Sequence, residues 1–197
     1  FTHPDSVGRV LPGIEVKLVD ESGHAVPVGE VGELLVRAGP PGSFVTMREY
    51  YRQPKATAAA ITDGWVRTGD LARFDADGYL YIADRKKDMV LSGGFNIYTK
   101  EVERVLVEHP AVADAAVVGV PDPVFGEAVV ACIELLPGAR LTAEEVIEHC
   151  KASIASYKKP KYVYFLDALP RNALGKVLKP ALRDYALKQI SAGGLAS

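Results

Sequence analysis

Lys176 closes the run Pro170-Arg171-Asn172-Ala173-Leu174-Gly175-Lys176, in which a lysine directly follows a glycine. An ammonium on a flexible four-carbon stem can stabilise negative charge developing on carboxylate and phosphate oxygens. Gly175 lets the chain bend tightly enough to aim it. In most sequences a lysine after glycine is only a surface charge, so residue type alone leaves both readings open. Asp70 ends Gly64-Trp65-Val66-Arg67-Thr68-Gly69-Asp70. Its two oxygens can accept two hydroxyl protons in charge-assisted bonds, although an isolated Gly-Asp reads as a turn or cap aspartate. Arg85, in Asp84-Arg85-Lys86-Lys87-Asp88, offers a planar fork suited to polyol and phosphate oxygens, or to a salt bridge between domains. Gly93 and Gly94 lack a Cβ, so their backbone can approach a ligand closely or turn with positive φ into a helix.

Other chemistries lose their usual support. No two glycines lie two apart, so the dinucleotide fingerprint GxGxxG is absent, and Pro170 stands where a Walker loop ending in Gly175-Lys176 would need glycine. HExxH and GxSxG are missing, and Cys and His nowhere cluster at metal spacing. His3, His24, His109 and His149 are scattered and read as surface or helix-end residues. No metal ligands are assigned to this chain.

These residues must be held by an ordinary globular body. Of 197 residues, 48% are hydrophobic and 24% charged, with a formal net charge of -2. That balance gives no basic field for nucleic acid or an anionic membrane. No apolar run is long enough for a transmembrane helix, and the start has no signal-peptide pattern. Cys132 and Cys150 read as reduced core thiols of a cytoplasmic protein. The chain opens on Phe1 rather than Met, which reads as a fragment of a longer protein.

Turn signals divide the chain into two styles. Ile14 to Val19, Glu33 to Arg37 (closed by Gly39-Pro40-Pro41-Gly42), Leu71 to Phe74 and Tyr79 to Ile82 are short strand candidates. Asp75-Ala76-Asp77-Gly78 predicts a hairpin between the last two, and Pro54 to Ile61 a short helix. Asp84 to Asp88 reads as a charged linker. Beyond it, Val102, Val105 and Leu106 fall at helical spacing. Val112 to Val120, Ala128 to Leu136 and Tyr162 to Leu166 read as strands. Thr142 with Glu145 forms a capping box for a helix facing Val146, Ile147, Cys150 and Ile154. Pro180 opens a last helix through Leu182, Tyr185 and Leu187, and the tail Ser191 to Ser197 frays. The expected fold class is α+β: a β-rich unit over 1–86, then a compact α+β domain over 87–197.

Taken together and in order, Gly64–Asp70, Asp84–Asp88 with Ser92-Gly93-Gly94-Phe95-Asn96-Ile97 and Glu101-Val102-Glu103, and Pro170–Lys176 resemble one superfamily. It comprises acyl-CoA synthetases, peptide-synthetase adenylation domains and firefly-type luciferases. Gly29-Glu30-Val31-Gly32-Glu33-Leu34 and Gly119-Val120-Pro121-Asp122 extend the likeness through nearly the whole chain. The resemblance implies two half-reactions: a carboxylic acid and ATP form an acyl-adenylate and pyrophosphate, and CoA then displaces AMP. It implies that residues 1–86 are the β-rich end of a large AMP-binding domain, and that 87–197 are a mobile domain docking on that otherwise absent body. By the same resemblance Lys176 is catalytic, Asp70 and Arg85 bind nucleotide, Lys87 is the hinge, and Gly93 and Gly94 line the CoA path. Ala83-Asp84 stand where most relatives have glycine before the arginine motif. ATP and CoA are then substrates. Mg²⁺ is expected for the full-length enzyme, with ligands outside this chain, as is the pyrophosphate loop. The fragment alone is expected to be inactive. A non-catalytic CoA-binding or lid module and a peptide-synthetase adenylation domain are the alternatives. A chain ending soon after its last helix favours a free-standing ligase, with fatty, aromatic and short dicarboxylic acids all open as substrates.

Overall fold

Short apolar runs broken by turn residues build the first part of the chain. The computed structural model describes residues 2–39 and 46–193, and the chain separates into two compact units, Phe1–Lys87 and Asp88–Ser197. In the first unit β1 (Ile14–Val19) pairs antiparallel with β2 (Gly32–Ala38). Helix α1 (Pro54–Ala60) starts with proline in its first turn, where a missing N–H costs nothing. It leads into β3 (Ile61–Thr62), β4 (Trp65–Phe74) and β5 (Leu80–Arg85). These five strands form one sheet in the order β1-β2-β4-β3, with β5 on β4. Alternation puts Leu18, Leu34, Ala72 and Leu80 on one buried face, backed by Val16, Val36, Phe74 and Ile82. The predicted hairpin forms: Asp75 Oδ1 accepts the N–H groups of Asp77 and Tyr79 at 3.0 and 2.8 Å.

Two expectations change here. The linker is shorter than its charges indicate, because β5 runs through Arg85 with Asp84 buried in it, and only residues 86–88 turn. The break between units accordingly falls after Lys87. Strand β4 also extends well upstream of Leu71, so Asp70 lies within a sheet rather than at a turn or cap. The predicted turn residues Pro40 to Gly42 lie outside the described residues.

The second unit begins with an unforeseen hairpin, β6 (Val90–Ser92) and β7 (Phe95–Ile97). Gly93 and Gly94 form its two-residue turn at φ +57° and +82°. Positive φ at both central residues is what a tight hairpin of type I′ demands. The helical periodicity is realised only from Thr99, in α2 (Thr99–Val107), with Val102, Val105 and Leu106 buried. Strands β8 (Val112–Asp122) and β9 (Gly126–Leu135) make a long antiparallel hairpin. Helix α3 (Ala143–Ser153) starts at the Thr142–Glu145 capping box, with both reciprocal bonds formed. After a 3₁₀ turn (Ser156–Lys158), β10 (Tyr162–Leu166) pairs parallel with β9, and α4 (Lys179–Ser191) follows.

Strand β9 is the axis of this unit, flanked by β8 and β10 and touched by the β6–β7 hairpin through Ser92 and Gly126. Both faces of the sheet are covered, which explains unbroken apolar runs where alternation would signal one wet face. Val117, Val129, Ala131 and Ile133 pack under α2 and α3 with Val146 and Cys150. Val118, Val120, Val130 and Cys132 pack on the other face with Leu182 and Ala186 of α4. The expected last helix does run through Leu182, Tyr185 and Leu187, with Leu182 buried and Leu187 exposed. Burial pushes the Cys132 thiol up to about 12 and that of Cys150 to about 11. Ser191 still belongs to α4, while residues 194–197 of the expected frayed tail lie outside the described residues. The fold class is α+β, as expected.

Candidate functional site

In the first unit the sheet register brings two predicted residues together. Asp70 on β4 lies opposite Arg85 on β5, and Arg85 Nε pairs with Asp70 Oδ1 at 2.9 Å. The salt bridge anticipated for Arg85 therefore lies within one unit. Gly69, at φ +72°, kinks β4 just before Asp70, and its carbonyl accepts the Lys86 N–H at 2.8 Å. Thr68 Oγ1 accepts the Asp70 N–H at 3.0 Å and donates to Leu34 O at 2.9 Å, while Arg85 Nη1 reaches Thr68 O at 3.3 Å. A polar end of the sheet, with Asp70 and Arg85 both partly exposed, is thus held in fixed geometry.

Sequence reading missed Glu33 beside them. It is 6% exposed, and its Oε2 accepts Arg67 Nη1 at 2.6 Å and Lys86 Nζ at 2.9 Å. A buried carboxylate needs such partners to offset lost hydration. A glutamate leading directly into the apolar run Leu34-Leu35-Val36 was the available signal. Lys87 follows in the turn, exposed and with no side-chain partner among the described residues.

In the second unit Lys176 sits on a loop between β10 and α4. Asn172 builds that loop: its Oδ1 accepts the N–H groups of Leu174 and Lys176 at 3.0 and 2.9 Å. Its backbone N–H donates to Lys176 O at 2.9 Å, and its carbonyl accepts the Gly175 N–H at 2.9 Å. Gly175 sits at φ +80°, in the region where any other L-residue but Asn or Asp is strained. Arg171 Nη1 donates to Gly175 O at 2.8 Å, and the same guanidinium pairs with Asp114 of β8. Behind the loop Lys179 Nζ reaches Glu103 Oε1 at 2.8 Å and Thr99 Oγ1 at 2.7 Å. Lys176 itself is exposed and its ammonium has no partner among the described residues. A hydrogen-bonded loop thus presents an exposed cation with no partner among the described residues.

Gly93, though not Gly94, lines a cleft of about 500 Å³ with Ser92, Phe95, Phe125, Tyr157 and Lys161. Phe95 and Tyr157 stack at 4.6 Å between centroids, and both are about half exposed. A Cβ on Gly93 would stand 3.4 Å from Phe125 Cδ1, and Gly93 N–H donates to Phe125 O at 2.9 Å. Asp122, beneath Phe125, accepts the N–H groups of Val124 and Phe125 at 3.0 Å and pairs with Lys161. These contacts, the Lys161 bond foremost, hold its carboxyl below the usual carboxylate range. The aromatic walls escaped sequence reading because they come from three separate segments.

Metal ligation has one geometric candidate among the described residues: His3, Asp75 and Asp77. Asp75 is already saturated by Tyr81 OH, His3 and two backbone N–H groups. That donor set does not fit Mg²⁺, which favours free oxygens and water.

Residues 101–176 match the family model of the AMP-binding enzyme C-terminal domain. A long-chain-fatty-acid–CoA ligase of Yersinia pestis is 45% identical over 186 residues, covering 94% of this chain and 32% of the relative. An indoleacetate–CoA ligase of Aromatoleum aromaticum is 45% identical over 184 residues, covering 93% and 35%. The amide bond synthetase McbA of Marinactinospora thermotolerans superposes with a TM-score of 0.82 at 40% identity, covering 92% of this chain and 36% of that one. The chain spans about a third of the length of these relatives. Residues 101–176 thus match the C-terminal domain of the AMP-binding enzymes, and over more than nine-tenths of its length the chain is similar to acid–CoA ligases and an amide bond synthetase.

Proposed function

We propose that this chain is the C-terminal part of an ATP-dependent carboxylic acid–CoA ligase, in which Lys176 assists acyl-adenylate formation. The observation that carries the reading is the loop braced by Asn172, whose two side-chain and two backbone hydrogen bonds present one ammonium with no partner among the described residues. When the acid's carboxylate attacks the α-phosphate of ATP, negative charge grows on the phosphoryl oxygens. An ammonium placed there is worth about 3–4 kcal/mol, on the order of 10²–10³ in rate. Asp70 would accept the ribose hydroxyl protons and Arg85 would lie beside it, their ion pair at 2.9 Å supporting a shared role. Lys87 would be the hinge, free of side-chain ties at the boundary of the two units. The aromatic cleft at Gly93 would take the apolar arm of CoA, with Gly94 beside it. Mg²⁺ and pyrophosphate ligands would belong to the remainder of the enzyme, which would be cytoplasmic, and the chain alone would make no adenylate.

Lys176→Ala in the full-length ligase tests this. ATP–pyrophosphate exchange should fall on the order of 10²-fold or more, while thioester formation from supplied acyl-adenylate persists. Undiminished exchange would refute the catalytic role. A second reading, transfer of the acyl group to an amine, is favoured by the likeness to an amide bond synthetase. Mass spectrometry of the product formed with CoA and amines in competition separates the two. The acid is left open, because ligases for a fatty acid and for indoleacetate are equally identical to this chain.

A further inference from the structure

Helix α4 starts in an unusual way. Its N-cap, Leu178, offers no side-chain hydrogen bond, and its first residue is the cation Lys179. The positive end of a helix dipole repels a cation there, so something must hold Lys179 in place. Glu103 of α2 does: Oε1 accepts Lys179 Nζ at 2.8 Å and also the N–H of Val117 on β8 at 2.8 Å. Thr99, fully buried, adds its hydroxyl at 2.7 Å. Both charges of the pair are about four-fifths buried. One carboxylate thus joins α2, β8 and the start of α4, three residues beyond Lys176. At its other end the same loop is tied to β8 through Arg171 and Asp114.

We propose that Glu103 and Lys179 are positioning residues for Lys176, setting where its ammonium stands without touching substrate. The proposal rests on the ligase reading above. Glu103→Gln keeps an oxygen for the Val117 N–H but removes the charge that holds Lys179. Because a displacement of about 1 Å can cost about 100-fold in rate, adenylation kcat in full-length E103Q should fall about 10-fold or more. Acyl transfer from supplied adenylate should stay within about twofold, as should KM for ATP. K179Q should match E103Q, the double variant should lose no more than either, and K179R should retain activity. In the 197-residue chain, the amides of Asn172, Lys176 and Leu178 should exchange faster in E103Q, a readout independent of any activity. Full adenylation in E103Q beside an inactive K176A overturns the positioning role alone, as does equal loss in both half-reactions. An active K176A overturns the catalytic role of Lys176 and the proposal with it.

Discussion

Gly175→Ala isolates the backbone's part in presenting Lys176. The residue sits at φ +80°, and a Cβ added there meets no atom within 4 Å. The substitution therefore carries no packing penalty, only the cost of an L-side chain in the left-handed region, about 1–2 kcal/mol. That strain has two places to go. If the loop relaxes, it gives up the Gly175–Asn172 and Arg171–Gly175 bonds, and the poised form is depleted roughly 5- to 30-fold. Adenylation then falls by that factor. If those bonds hold the loop, the same 1–2 kcal/mol leaves the unfolding free energy instead. Both quantities are measured on one full-length variant, by pyrophosphate exchange and by urea denaturation, and their losses should sum to the strain. Asparagine tolerates the left-handed region better than alanine, so Gly175→Asn should recover much of either loss. A Gly175→Ala enzyme unchanged in both rate and stability would refute the reasoning.

Two further outcomes test the second unit on the chain itself. Thr142→Ala removes one half of the capping box at the start of α3 and should lower unfolding free energy by about 1 kcal/mol, read as a shifted urea midpoint with unchanged slope. Asp122 has a folded-state pKa below its unfolded value of about 3.9. Its contribution is therefore full above that unfolded value and is lost as pH falls through the lower folded one. Asp122→Asn should flatten the acid limb of the stability profile, and an acid limb as steep as wild type's would count against the assignment.

Much of the second unit was legible because its signals are local. Thr142 and Glu145 sit three apart, and Val102, Val105 and Leu106 declare a face. What escaped depends on contacts made across the chain. The β6–β7 hairpin is too short for periodicity, so Gly93-Gly94 looked like the lead into a helix. Asp84 sits among charges yet is buried, because sheet register and not local composition decides burial there. Glu103 and Lys179 are ordinary charged residues until α2 and α4 are docked on the same sheet. Asp70, Arg85 and Lys176 were found by their motifs, while their geometric support from Thr68 and Asn172 was not.

The parallel pairing of β10 with β9 has a kinetic consequence. Strands β8 and β9 can zip from the short turn between Asp122 and Gly126, but Tyr162 can meet Val130 only after α3 has been crossed. Closing the longer loop costs more chain entropy, so non-local parallel pairing is the slower event. Helix α4 then needs that completed sheet beneath Leu182 and Ala186. The segment bearing Lys176 lies between these two late pieces, so a nascent chain acquires its secondary structure well before it acquires a usable lysine.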